Sequence, residues 1–386
     1  MKFPVYLDYN ATTPCDGRVV EAMLPFFTKH FGNAASRSHA YGWVAEEGVE
    51  YAREQVGQLV CAEPKEIIFT SGATEADNLA LKGVFQLYAG KGNHIITVST
   101  EHKAVLDTCM SIEKEGGEVT YLQVKPDGLL DLDALEAAVR PTTILIAVMY
   151  ANNETGTIQP VKQIGEIAKK HGIIFFSDAT QAVGKIPVNV IEDQIDLMAF
   201  SAHKIYGPKG VGALYVRRKQ PRVKLIPQMH GGGHEKGTRS GTLNVPGIVG
   251  FGKACDLAMK EMDTDIKRLI ILRNKLENEL LKTAGAAVNG SILHRLPYVC
   301  NLSFRYIDGN ALMIGLNKSI AVSSGSACTS ASAEPSHVLK ALGLEDDLAH
   351  SSLRFSLGRF TTEEEVDFAI EHVSKTVKKL RESIII

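Results

Sequence analysis

The residues able to do covalent chemistry sit in short, separated motifs. Lys204 closes Ser201-Ala202-His203-Lys204 and precedes Ile205-Tyr206-Gly207-Pro208, where Gly and Pro enforce a sharp turn. Asp178 lies in Ser177-Asp178-Ala179-Thr180-Gln181. Alone, each is ordinary: a lysine is usually solvated surface, and an aspartate a turn or cap residue. Both, however, follow apolar β-like runs, and α/β proteins bind ligands at the carboxyl ends of their strands. An amine able to condense with an aldehyde, paired with a carboxylate that keeps a ring nitrogen protonated, is what pyridoxal 5'-phosphate (PLP) requires. PLP also needs a phosphate cradle. Ser71-Gly72-Ala73-Thr74 joins an apolar run to a helical pattern, so helix amides and the Thr74 hydroxyl would face an anion. Helix capping by Ser71 or Thr74 is the plainer alternative. His102, Asn152-Asn153-Glu154 and Gln181 follow strands on the same edge.

A second chemical signal is a cysteine that nothing can pack against. From Ser323 to Ser332 no residue is larger than threonine, and Cys328 stands in that run. Such a segment is weakly restrained, so the thiol is expected to be exposed and mobile. A linker with an incidental thiol is the competing reading, but an exposed thiol is a liability unless it is used. Cys15, Cys61, Cys109, Cys255 and Cys300 read as packing or surface residues. No two of the six form a C-x-x-C pair, which disfavours a zinc or thioredoxin-like site.

These residues need a sheet to hold them. Ile67–Thr70, His94–Val98, Ile144–Met149, Ile173–Phe176, Leu197–Phe200 and Val211–Val216 read as strands, with helical patterns between them. This alternation predicts a mostly parallel sheet with helices on both faces. Gly247 to Leu281 carries a helical stripe and reads as one or two linking helices. Short strands at 298–306, 320–324 and 353–357 follow, and a helix over 361–380 starts at Thr361 or Thr362. This last part reads as a smaller α+β domain.

The same residues exclude other classes. A net charge of −2 gives no electrostatic reason for nucleic acid or an anionic membrane as main partner. The first residues lack a signal-peptide pattern, and the longest aliphatic run, Ile144 to Met149, is too short to span a bilayer. A cytoplasmic protein with free thiols is expected. Gly247 to Lys253 matches a phosphate-loop pattern, but Ala254 replaces the hydroxyl residue that would hold magnesium, and no strand precedes it.

In order, the motifs resemble the class I cysteine desulfurases of the NifS/IscS type, closest to the housekeeping IscS group. The resemblance covers nearly the whole chain. It rests on Tyr6 to Thr13, Thr70 to Glu75, Glu101-His102-Lys103, Asn152-Asn153-Glu154, Ser177 to Gln181 and Ser201 to Lys204. Gly231 to Glu235, Arg239 to Thr242, Ser323 to Cys328 and Arg354-Phe355-Ser356 complete it. It implies PLP-dependent fold type I, like aspartate aminotransferase. A large domain would span 14–255, and a smaller one 1–13 with 256–386. The implied activity takes sulfur from L-cysteine, leaves L-alanine and charges an enzyme cysteine as persulfide for iron–sulfur cluster assembly and tRNA thiolation. A selenocysteine lyase, another fold type I PLP enzyme and a non-catalytic sulfur carrier or scaffold are the rivals.

By the same resemblance Lys204 carries PLP as a Schiff base, Asp178 pairs with the ring nitrogen, and His102 stacks on the ring as acid/base. Gln181 and Asn153 would contact the pyridoxal hydroxyl side. Ala73, Thr74, Ser201 and His203 would cradle the phosphate, with Thr242 donated by the other subunit of a homodimer. Asn33 and Arg354 would hold the substrate carboxylate, and Cys328 would be the persulfide-forming nucleophile. No metal-ligating set is implied beyond transient iron–sulfur contact at Cys328. Two departures stand out. Ala34 follows Asn33 where the family commonly has proline, and the tail after Arg381 is short, which touches on docking of an iron–sulfur scaffold partner.

Overall fold

The computed structural model describes residues 2–324 and 334–384. All six expected strands join one seven-stranded sheet, in the order Ile67–Thr70, Gly212–Val216, Leu197–Ser201, Ile174–Asp178, Thr143–Ala147, His94–Val98, Glu118–Leu122. Gly212–Val216 runs antiparallel to both neighbours, and the other pairings are parallel. The sequence reading missed the edge strand Glu118–Leu122. Its residues are exposed or half-buried, so it lacks the continuous apolar run that marked the inner strands.

Alternation along each strand builds two cores. Phe69, Ile96, Ile146, Phe175, Met198 and Phe200 face one side, packed with residues of Ala40–Leu59 and Val245–Leu281. Ile68, Ile95, Leu145, Phe176, Leu197 and Ala199 face the other, under Ala73–Tyr88 and Lys103–Lys114. Successive strand side chains point to opposite faces, so a strand apolar throughout can serve both layers. Burying each such side chain stabilises by roughly 1.5–3 kcal/mol.

Val245–Leu281 is one helix, continuous through position 255, where the sequence reading placed a domain boundary. The Asn244 side chain caps it by accepting from Gly247 N at 3.1 Å. A Cβ at Gly252 would lie 2.6 Å from Ala52 Cα, so this glycine serves close helix packing. The phosphate-loop match is therefore a packing pattern. Beyond the helix, an antiparallel sheet runs Ser323–Ser324, Ser352–Ser356, Val299–Phe304, Ala286–Val288. The stretch 320–324 divides: Ile320–Ala321 pairs with Val5–Tyr6, and Ser323–Ser324 with Ser352–Ser356. The last helix is Glu363–Ile384. Thr362 Oγ1 accepts from Glu365 N, and Glu365 Oε2 accepts from Thr362 N, which makes Thr362 the cap. No helix among the described residues is long and apolar enough to cross a membrane.

Candidate active site

The parallel strands end together, and their ends open onto a cavity of about 590 Å³. Ala73, Thr74, His102, Asn153, Asp178, Gln181, Ser201, His203, Lys204 and Arg354 all line it. Asn33 and Thr242 do not: both are exposed, and Asn33 Oδ1 accepts from Ala35 N at 2.9 Å. Cys328 lies outside the described residues.

Lys204 sits on a short 3-10 turn, Ala202–Lys204, directly after its strand. The left-handed backbone at Tyr206 (φ 66°) closes that turn. The turn is stitched to the N-terminal segment. Thr13 N and Thr13 Oγ1 each donate to His203 O at 3.0 Å, and Tyr206 N donates to Thr13 Oγ1 at 2.8 Å. Lys204 Nζ donates to Asn10 O at 2.5 Å and Ala11 O at 2.8 Å. Thr12 Oγ1 lies 3.0 Å from His203 Nδ1. Burial, then the charges of Lys204, Lys209 and Lys185, push His203 down to about 4, so its ring is neutral near pH 7.

Asp178 ends the strand Ile174–Asp178, and Oδ1 accepts from Thr180 N at 2.9 Å. His102 caps the helix Lys103–Lys114, with Nδ1 accepting from Ala104 N at 3.1 Å. An accepting Nδ1 carries no hydrogen, so the neutral ring keeps its hydrogen on Nε2. The helix Ala73–Tyr88 has Gly72 at its N-cap and no side-chain cap. The capping role considered for Ser71 and Thr74 is therefore absent, and the first helix amides at the cavity are uncapped donors. Arg354 reaches the cavity from the second sheet. Its Nη1 donates to Asn153 O at 2.9 Å and its Nη2 to Asp8 Oδ1 at 2.7 Å.

Sequence reasoning missed several lining groups. Asn10 and Ala11 act through backbone carbonyls, which residue type does not reveal. Lys209 stands in the turn after Lys204, and its signal was its place in the Gly207-Pro208-Lys209-Gly210 loop. Asp77 is 1% exposed, and neither carboxylate oxygen has a hydrogen-bond partner among the described residues. Burial, with Asp178 and Glu101 nearby, raises its proton affinity well above the usual carboxylate range. Its signal was an acid set among Ala76, Leu79 and Ala80 on a buried helix face.

The cavity fits PLP by its own chemistry. It offers an amine, a carboxylate, uncapped helix amides and lining polar atoms without a hydrogen-bond partner among the described residues, namely Asn10 Oδ1, Thr180 Oγ1 and both oxygens of Asp77. Sheet order, strand-end lysine and strand-end aspartate define a PLP-dependent enzyme of fold type I. The aminotransferase class-V family model matches residues 5–368. The chain is 59% identical over 385 residues to a cysteine desulfurase IscS of Anaeromyxobacter sp. (strain Fw109-5), covering 99% of this chain and 94% of that one. It is 58% identical over 384 residues to a cysteine desulfurase IscS of Escherichia coli O139:H28, covering 99% and 95%. Among solved structures, a NifS-like protein superposes with a TM-score of 0.91 at 39% identity, covering 98% of this chain and all of that one. SspA in complex with cysteine superposes with a TM-score of 0.81 at 37% identity, covering 92% and 99%. The chain belongs to the NifS/IscS family of class-V aminotransferase-fold enzymes.

Proposed function

We propose that this enzyme is a PLP-dependent cysteine desulfurase, converting L-cysteine to L-alanine and loading the sulfur on Cys328. The carrying observation is the convergence of Lys204, Asp178, His102 and the uncapped amides of Ala73–Tyr88 on one cavity. When bound, PLP withdraws electrons from the substrate α-carbon and so labilises the carbon–sulfur bond. Lys204 would hold the cofactor covalently, and its Nζ, as a free amine, would take and return a proton. Asp178 would hold the ring-nitrogen proton. His102, in the cavity lining, would face the cofactor and move protons through Nε2. Gln181 and Asn153 contact the ring-hydroxyl side. Ala73, Thr74, Ser201 and neutral His203 hold the phosphate. Arg354 orients the substrate carboxylate.

The thiolate of Cys328 then attacks the substrate sulfur. A sulfur–sulfur bond forms, the carbon–sulfur bond breaks with its electron pair going to carbon, and that carbon takes a proton to become the alanine methyl group. The persulfide serves an acceptor, with iron–sulfur assembly and tRNA thiolation as destinations.

We place the working unit as a cytoplasmic homodimer. Asn33 and Thr242 are exposed on the single chain, and Phe31, Tyr41 and Trp43, from the same stretch of sequence as Asn33, are each more than half exposed. A second copy covering that face would bring Thr242 to the phosphate and Asn33 to the substrate carboxylate.

Two variants test the reading. Lys204→Ala should lose the visible absorption of covalently held PLP. Cys328→Ser should keep that absorption yet form no persulfide from L-cysteine. Survival of the band in the first variant, or wild-type sulfide release by the second, would overturn the assignments. Transamination products in place of alanine would overturn the activity.

A further inference from the structure

The segment 229–242 follows a path that its own residues disfavour. Glu235 (φ 47°) and Lys236 (φ 56°) stand in succession in the left-handed region, and neither is glycine. Such backbone persists only where the surroundings hold it. Two ion pairs hold it from outside. Glu235 is buried and binds both terminal nitrogens of Arg53, accepting from Nη1 at Oε2 and from Nη2 at Oε1, each at 2.8 Å. Its Oε2 also accepts from Phe69 N at 2.9 Å, which fixes this point to the strand Ile67–Thr70. Further on, Arg239 Nε donates to Glu75 Oε1 at 2.7 Å, and Arg239 Nη2 donates to Glu75 Oε2 at 3.2 Å. Burial raises the proton affinity of Glu75, but the bonds from Arg239 and Ser71 outweigh it and hold the carboxyl below its usual range.

Arg239 also touches the residues that follow it. A Cβ on Gly241 would lie 3.4 Å from Arg239 Nη1, so the guanidinium packs against this glycine. Gly241 takes φ 115°, which only glycine adopts readily, and its N donates to His234 Nδ1 at 3.2 Å. Thr242 comes directly after. The guanidinium thus stands between the first turn of Ala73–Tyr88, where Glu75 lies, and the backbone that carries Thr242.

We propose that Arg239 is a positioning residue for the PLP of the other subunit: its fork on Glu75 and its contact with Gly241 set where Thr242 is presented. Two observations favour this over a role in its own chain's cradle. Glu75 Oε2 accepts from Ser71 N at 2.8 Å, a local bond within one turn that needs no arginine. The segment has the opposite need. Its bonds from Gly241 N to His234 and from Ser240 N to Met229 O (3.4 Å) stay within 229–242 and cannot fix it to the rest of the molecule. A planar guanidinium meets a carboxylate through two bonds, so it sets direction as well as distance, which a lysine would not.

This inference rests on the homodimer reading, in which Thr242 reaches the phosphate held by the second copy, and the experiment separates the two. PLP-loaded dimers are freed of excess cofactor, and decay of the visible band of Lys204-held PLP reports its release. Arg239→Gln should speed release about tenfold, the scale of one weakened hydrogen bond to a charged group. Mixed dimers, purified through two different tags, then show which chain matters. Pairing an Arg239→Gln chain with a Lys204→Ala chain leaves one held cofactor, in the Arg239→Gln chain, with an intact Arg239 opposite. Release there should return to the rate of a dimer of parent and Lys204→Ala chains. Pairing the parent with a chain carrying both substitutions should show the whole loss. A loss that stays with the chain holding the cofactor would place Arg239 in its own cradle and overturn the inference, as would an unchanged rate in the Arg239→Gln homodimer. Should Arg239→Gln fail to fold, Arg239→Lys, which keeps the charge and loses the fork, is put through the same pairings and read by the same outcomes. Thr242→Ala checks the reading beneath: release at the parent rate in that variant would sink Thr242 as a phosphate ligand, and the inference with it.

Discussion

His203 shows how the cavity's charges set one side chain's chemistry. Its folded proton affinity, about 4, lies below the ~6.5 of an unfolded histidine. Between those values the unfolded chain binds the extra proton and the folded chain resists it. Stability should therefore fall as pH drops from about 6.5 towards about 4, and this loss should stop below that. In urea unfolding of the cofactor-free protein, His203→Gln should flatten that part of the pH dependence relative to the parent. Parallel curves for the two proteins would refute the argument. His203, Lys204, Asp178 and His102 were legible because each follows an apolar run that had to be a strand. Asn10 and Asp77 were not. Their places in the site come from a carbonyl and from burial, and neither is written in residue type or spacing.

The elements that carry these residues meet at a crowded point. Gly212 opens the single antiparallel strand of the main sheet, beside the cradle that precedes Ala73–Tyr88. A Cβ there would lie 2.7 Å from Gly72 Cα and 2.8 Å from Phe200 O. Both are backbone atoms of elements packed on two sides, so neither can rotate aside as a flexible side chain would. Gly212→Ala should cost about 1–3 kcal/mol of stability by overpacking. It should also displace Gly72 and weaken retention of PLP. Urea midpoints and PLP bound per chain after gel filtration check both, and full retention of PLP would show that the cradle tolerates the shift. The inner strands were readable because burial on both faces leaves an unbroken apolar run. Glu118–Leu122 and Ala286–Val288 were not, since edge strands with exposed or half-buried residues look like loops. The 320–324 stretch was read as one strand because nothing local says that its two halves serve different sheets.

Residues 5–13 join the parts of the molecule into one site. Val5–Tyr6 pairs with Ile320–Ala321, and Asp8 bridges to Ser356 beside the second sheet. Asn10 ties to Asn153, Gln181 and Lys204, and Thr13 to His203 and Tyr206. The composition and periodicity of so short a segment carry no trace of this, because its bonds are to residues far away in sequence. Asp8 is the charged knot of the thread. It accepts from Arg354 Nη2 at 2.7 Å and from Ser323 Oγ at 2.9 Å, and the Arg354 side chain is 4% exposed. Removing one partner of a buried pair leaves the other charge without compensation, which costs about 3–5 kcal/mol. Arg354 keeps its bonds to Asn153 O and Ser323 Oγ, so Asp8→Ala should fall near the lower end of that range. The loss should be local as well as global. Amides of Tyr9 and Asn10, bonded to Ser356 O and Ser356 Oγ, should exchange faster with solvent hydrogen than those of the main sheet. Unchanged stability and unchanged exchange in Asp8→Ala would mean that the segment is held by its strand pairing alone, and that Arg354 finds its position in the cavity without it.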